Sequence, residues 1–347
     1  MMTVQIEITD RSQPEADDQH LLKNLNRLFL WVNSGCNARC RMCDIWREKP
    51  GRTLSVEDVR GWAPEWSRLD LEYVILCGES LMHPDIFQIA QIIREHGIRV
   101  ELLSNGLLLK RHAESVAQHC DEFRVSLDGP REIHNSVRGV PRAFERLDEG
   151  LVELRRQRPD MGVDGRCAVH RLNFQHLRAT VQAAKDLGLR SISFSGTDLH
   201  NEEAFRRFST LDQQYIAALA VREADLPDLT RELELLREEC AEDFASGYIS
   251  DTPEELDAML LQYYRGVAGV GPMPQVRCNT PWSSAILEYD GTVRPCFPMS
   301  AYGDIRVFGT LEAAINSPKA LAFRRGLDVA SDSTCQNCVC PTLFTGA

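Results

Sequence analysis

Three cysteines within eight residues, Cys36, Cys40 and Cys43 in SGCNARCRMC, are the groups of this 347-residue chain whose type and spacing could do chemistry. Thiolates ligate zinc and iron–sulfur clusters, and a short C-x3-C-x2-C loop can gather three of them around one cubane, leaving its fourth iron without a protein ligand. A zinc ion completed by a distant His or Cys, or a cluster of inert thiols, are the other readings. A second group lies near the C-terminus. Cys278 and Cys296 bracket NTPWSSAILEYDGTVRP, and CQNCVC supplies Cys335, Cys338 and Cys340. Two ligands around a hairpin plus a C-x2-C pair can complete four-thiolate coordination of a cluster, or of zinc. Cys77, Cys120, Cys167 and Cys240 are scattered, and Cys120, Cys167 and Cys240 read as small buried hydrophobes.

The surroundings favour metal over disulfide. The start, MMTVQIEITDRSQPEADDQHLLKN, has no basic stretch followed by an apolar run, so it is not a signal peptide. No apolar segment approaches the roughly 20 residues that span a bilayer. A cytoplasmic location without a membrane span is therefore expected, and there cysteines serve metals or redox chemistry. A formal net charge of −12 argues against a nucleic-acid partner.

Stepping the pattern along the chain gives the elements that must position these groups. RLFLWVNS (27–34) is a buried strand that delivers the chain to the three-cysteine loop. Ser55 is placed to cap a following helix, and LEYVILCG (71–78) is a second strand. HPDIFQIAQIIREHG is a helix with Pro84 at its start and Gly97 as its stop. Strands IRVELLSNG, EFRVSLDG, VDGRCAVH and LRSISFSG then alternate with helices. Six β/α units predict an α/β protein with a parallel sheet, a partial (β/α)6 TIM-like barrel rather than the closed eight. The domains expected are a tail (1–26), the barrel (27–200), an acidic helical insertion (201–270) and a small cysteine-rich C-terminal domain (271–347), with a hairpin turn at Asp290-Gly291. The three cysteines, CGES, LLSNG and SLDGP all fall at C-terminal strand ends, where barrel active sites lie.

CNARCRMC resembles the signature of the radical S-adenosylmethionine (radical SAM) enzymes. The resemblance implies that Cys36, Cys40 and Cys43 hold a [4Fe–4S] cluster whose fourth iron binds S-adenosylmethionine. CGES resembles that family's Gly-Gly-Glu motif, which makes Gly78 and Glu79 cofactor contacts, with Glu79 accepting from the methionine ammonium. SLDGPREIHNSVR resembles a segment of the Twitch and SPASM branches, implying a ribose contact for Ser126 and a carboxylate contact for Arg138. Two positions depart from the pattern. Cys77 stands where a Gly is usual, as a space-filler or a hydrogen-atom donor, and Met42 stands where an aromatic is usual, with Trp46 close by. The C-terminal part is similar to a Twitch domain, a shortened SPASM domain, which implies one auxiliary [4Fe–4S] cluster on Cys278, Cys296, Cys335 and Cys338, with Cys340 the rival for the last place.

By analogy with Twitch-bearing dehydrogenases, the expected reaction is oxidation of a small polar molecule, a sugar, cyclitol or related alcohol, with the auxiliary cluster as electron acceptor. An external donor such as flavodoxin or ferredoxin would supply electrons. The alternatives are an epimerase, a peptide-modifying maturase, for whose leader-recognition domain the 1–26 tail is too short, and a non-catalytic iron–sulfur electron carrier. Trp282, Tyr289 and Asp290 read as packing and turn residues, whereas His170 and Arg171, after the fifth strand, could line the cavity.

Overall fold

A computed structural model describes residues 20–201, 203, 207 and 213–344, so that most of the expected 1–26 tail lies outside the described residues. Its first six strands are β1 (Arg27–Trp31), β2 (Tyr73–Cys77), β3 (Arg99–Ser104), β4 (Glu122–Ser126), β5 (Val163–Val169) and β6 (Ser191–Gly196). Each pairs in parallel with its predecessor, and the helices α1 (Val56–Trp66), α2 (Ile86–Glu95), α3 (Leu109–His119), α4 (Arg131–Arg138), α5 (Ala143–Gln157) and α6 (Leu177–Asp186) fill the crossovers. The result is the partial α/β barrel expected. Local signals hold where a side chain enforces them. Ser55 accepts from Asp58 N at 3.0 Å and caps α1, and Gly97 ends α2 at φ +77°. Pro84 falls two residues outside α2, which starts at Ile86 after Asp85.

The strands obey the two-residue period of a pleat. Leu28, Leu30, Val74, Leu76, Val100, Leu102, Phe123 and Val125 are fully or almost fully buried in the apolar core, and burying each is worth roughly 2 kcal/mol. The alternate residues Phe29, Trp31, Ile75, Cys77, Leu103, Arg124, Ser126, Arg166, Ala168, Ser193 and Ser195 line an inner cavity. Cys120, Cys167 and Cys240 are buried, as small hydrophobes are.

The C-terminal part builds no separate sheet among the described residues. Strand β7 (Ser284–Glu288) pairs in parallel with β1 on the side opposite β2, and β8 (Thr292–Arg294) and β9 (Gly303–Asp304) follow antiparallel. The order is β6-β5-β4-β3-β2-β1-β7-β8-β9. Asp290 and Gly291 make the expected turn between β7 and β8, with Gly291 at φ +91° and Thr292 N donating to Asp290 Oδ1 at 3.1 Å.

The helical segment protects the other edge. Ile192 N donates to Tyr248 O at 2.8 Å and Ser250 N to Ile192 O at 3.0 Å, so residues 248–250 cover β6. Helix α7 (Gln213–Leu219) precedes α8 (Leu226–Glu239), whose Glu232 pairs with Arg178 of α6 at 3.0 Å. A π-helical turn over Asp257–Gln262 is followed by Tyr263 and Tyr264. Tyr263 donates to Thr197 O at 2.9 Å and Tyr264 to Val169 O at 2.5 Å, pinning the ends of β5 and β6. Met259 of the π turn and Asp251 reach the inner cavity.

Candidate functional site

The inner cavity has a volume of about 530 Å³ and is lined by Cys36, Cys40 and Cys43 together with Cys278, Cys296, Cys335, Cys338 and Cys340. Two cysteine groups more than 230 positions apart thus share one space. Their link is the β1–β7 pairing and an aromatic cluster. Phe297, next to Cys296, meets Phe29 and Trp31 of β1 edge-on, with ring centroids 5.5 and 6.0 Å away.

The first cysteine loop is held from outside. Arg39 N donates to Arg138 O at 2.9 Å and Arg41 N to Val137 O at 3.0 Å, tying the loop to the end of α4. Gly139 there has φ +62°, and a Cβ on it would stand 2.4 Å from Arg39 O, so only glycine permits this approach. Cys36 Sγ accepts from Ala38 N at 3.4 Å and Asn105 Nδ2 at 3.6 Å, and Cys40 Sγ accepts from Arg138 Nη1 at 3.6 Å. Burial pushes both thiols upward, so protons must leave when a cation binds there. Met42 and Trp46 both line the cavity, and Trp46 Nε1 donates to Cys43 O at 2.9 Å.

Glu79 follows β2 and is buried. Its Oε1 accepts from Ser104 Oγ at 2.7 Å and its Oε2 from Asn105 N at 2.9 Å, both at the end of β3. Burial nevertheless pushes its pKa to about 7, against those hydrogen bonds. Gly78 takes φ +88°, and a Cβ would stand 3.0 Å from Asn33 and the Trp31 indole. Arg138 is buried, and its Nε lies 2.6 Å from Asp128 Oδ2. Burial opposes its charge, but Asp128 and the Cys40 sulfur outweigh that and keep it cationic. Ser126 lines the same cavity from the end of β4. Asp128, Ser104 and Asn105, which position Arg138, Glu79 and Cys36, were not singled out by sequence, although each lies in a quoted strand-end motif.

In the second group, Cys338 N donates to Cys335 O at 3.0 Å, so a tight turn presents the C-x2-C pair. Thr280 N and Cys340 N donate to Cys278 Sγ and Cys338 Sγ, each at 3.5 Å. Cys338 and Cys340 sulfurs are 3.7 Å apart. Burial raises Cys296, and the charges of Cys340, Cys335 and Cys278 add to it.

These donors fit the cofactors in question. Both groups offer thiols, the ligands of iron–sulfur clusters, and N–H donors reach Cys36, Cys40, Cys278 and Cys338. Among the described residues no three His, Cys, Asp or Glu side chains converge closely enough for a single metal ion. Glu79 has no ion pair among the described residues, and Arg138, the cation acting on it, is already engaged by Asp128. A buried carboxylate of that kind suits an incoming ammonium.

Other expectations fall elsewhere. His170 is fully buried, its pKa pushed to about 4 by burial, and it does not line the cavity. Arg171 pairs with Asp225 at 3.4 Å instead. Both follow the end of β5, where the chain turns toward the helical segment. Cys77 does line the cavity, and burial raises its pKa and keeps it a thiol.

The chain matches the family described as the Radical SAM superfamily over residues 32–184 and the SPASM iron–sulfur cluster-binding domain over 278–339. It is 32% identical over 174 residues to the AdoMet-dependent heme synthase of Methanosarcina barkeri (strain Fusaro / DSM 804), covering 48% of this chain and 49% of that protein. It is 22% identical over 299 residues to the antilisterial bacteriocin subtilosin biosynthesis protein AlbA of Bacillus subtilis (strain 168), covering 82% of this chain and 58% of that one. The chain thus matches only about half the length of these curated relatives. Its fold is shared with native anSMEcpe with bound AdoMet, at TM-score 0.63 and 18% identity over 90% of this chain and 86% of the other. No helix among the described residues is long and apolar enough to cross a membrane.

Proposed function

We propose, from the premise that this chain is a radical SAM enzyme with a C-terminal SPASM-type iron–sulfur domain, that it oxidises a small polar substrate such as a sugar, cyclitol or related alcohol. The observation that carries the reading is the single cavity lined by both thiol groups. Cys36, Cys40 and Cys43 would hold the cluster that binds S-adenosylmethionine, and Cys278, Cys296, Cys335 and Cys338 the auxiliary one. When bound, these groups supply a 5′-deoxyadenosyl radical that takes a hydrogen atom, and an acceptor for the electron the substrate then gives up.

The protein's part is position and dryness. Ser104 and Asn105 aim Glu79 at the cofactor's ammonium. Asp128 aims Arg138 through Nε, and the outer N–H groups not given to Cys40 are left for the carboxylate. Ser126 meets the ribose, and Gly78 gives the backbone close approach. Met42, Trp46, Trp31 and Phe29 give the cavity apolar walls that exclude water. Flavodoxin or ferredoxin is the external donor.

The test is anaerobic. Reconstituted protein, S-adenosylmethionine and reductant are incubated with a polyol pool or a peptide pool, and 5′-deoxyadenosine is quantified. Stimulation by polyols is expected. Stimulation only by peptides, in line with the AlbA relative, would move the substrate class to peptide modification. The protonated Cys77 thiol in the cavity favours a second reading, epimerisation with Cys77 as hydrogen donor. In that case solvent deuterium would enter the product at the reacting carbon, and Cys77→Ser would abolish the incorporation.

A further inference from the structure

The inner wall carries four arginines, and three of them are engaged. The Arg27 guanidinium lies over the rings of Tyr73 and Phe344, at 5.5 and 5.0 Å. Arg124 pairs with the buried Glu101 at 3.0 Å, and Arg138 with Asp128 at 2.6 Å. Arg166 differs. It lies on the cavity side of β5, in register with Ser126 of β4 and Ser193 of β6, and its exposed side chain faces the cavity. Among the described residues its guanidinium makes no hydrogen bond or ion pair. The charged groups that feel it are Asp251, whose carboxylate is already used by Phe194 N at 2.7 Å, and Cys340 of the second thiol group.

A cation with five N–H donors and no hydrogen bond or ion pair of its own among the described residues, on the wall of a cavity, is matched by an anion brought in by a ligand. Its place matters as much as its charge. Arg166 is in register with Ser126 of β4, and the cavity it faces is also lined by Cys340 of the second thiol group. A group held there shares that cavity with both candidate cluster sites.

We propose that Arg166 is the substrate's anion anchor and sets specificity: the polar substrate carries a carboxylate, bound by the guanidinium. This rests on the radical reading above and narrows its substrate from neutral polyols to hydroxylated acids such as sugar acids. A phosphate would answer the same cation, and the test separates the two.

The test uses reconstituted holoenzyme and 5′-deoxyadenosine formation. A metabolite extract is split by anion exchange into neutral and anionic fractions. Part of the anionic fraction is treated with phosphatase, and part is methyl-esterified. The expected result is stimulation by the anionic fraction that survives phosphatase and is lost on esterification. In Arg166→Met the KM for the active component should rise at least tenfold, with a smaller change in kcat, and Arg166→Lys should recover part of the loss. Stimulation lost to phosphatase would overturn the carboxylate. Stimulation by the neutral fraction alone, or by no fraction, would overturn the anchor. Iron content and thermal midpoint show whether each variant folds. If Arg166→Met unfolds, Asp251→Asn restores it and the substrate preference stands unchanged, Arg166 belongs to an internal charge pair and the proposal falls. Absence of 5′-deoxyadenosine from every reaction, the substrate-free one included, would instead overturn the radical reading.

Discussion

Replacing Glu79 by Gln should weaken S-adenosylmethionine binding and, in the same protein, strengthen the unliganded fold. Burial moves the Glu79 pKa from 4.5 to about 7, a difference worth on the order of 3 kcal/mol between its charged and neutral forms. Because the folded-state pKa is raised, wild type loses stability relative to Gln as pH rises through the window from 4.5 to about 7. The stability gap should be under ~1 kcal/mol at pH 5, grow to about 3 kcal/mol by pH 8, and then stay flat. Denaturant midpoints of cluster-free wild type and Glu79→Gln at the two pH values measure it. The ligand works the other way. An ammonium against a buried, hydrogen-bonded carboxylate contributes roughly 1.5–3 kcal/mol, or about 10- to 150-fold in affinity. Gln keeps an acceptor for Asn105 N but loses the charge. Titration of the cluster-loaded proteins with S-adenosylmethionine should show that loss. Affinity within twofold of wild type, or a stability gap of opposite sign, would refute the assignment of Glu79.

Three further outcomes follow from the packing. Gly139→Ala puts a side chain at φ +62°, a strain of roughly 1 kcal/mol, and a Cβ against Arg39 O, so the first cysteine loop should shift. Iron per chain should fall at the first site and persist at the second, as resolved by Mössbauer or electron paramagnetic resonance spectra. Glu288, 2% exposed at the end of β7, accepts two bonds from Arg207 at 2.6 and 2.7 Å and one from Arg294 at 2.7 Å. Glu288→Ala strands Arg207 and leaves Arg294 with Glu203 at 2.9 Å, and should cost about 3 kcal/mol in denaturant unfolding. Cys338→Ala should remove the auxiliary cluster's iron while Cys340→Ala keeps it, and the reverse pattern would exchange their roles.

The order of strands and helices in the barrel was legible because each obeys a local rule. Short buried apolar runs became β1–β6, and period 3.6 with Ser55 and Gly97 as punctuation became α1 and α2. Cys36, Cys40 and Cys43 were legible for the same reason: eight residues of loop can close on one object. The resemblance of CGES and SLDGPREIHNSVR to family motifs pointed to Glu79, Ser126 and Arg138, and all three line one cavity.

What adjacency in sequence could not carry was which distant pieces meet. That β7 joins β1, bringing Cys278 and Cys296 onto the same cavity as Cys36, depends on a backbone ladder between residues 27–31 and 284–288. Nothing local encodes a parallel partner. The supports of the site were hidden for the same reason. Ser104 and Asn105 read only as the end of the strand IRVELLSNG, and the β2–β3 pairing brings them to Glu79. His170 went the other way, because the chain turns after β5 and buries it. Arg166 looked like an ordinary charged residue in a strand, and only the closing of the wall left its cation inside without a close partner. Residue types and local periods determined the chemistry available to this chain, whereas long-range pairing and burial decided which groups face one another and which charge stands alone.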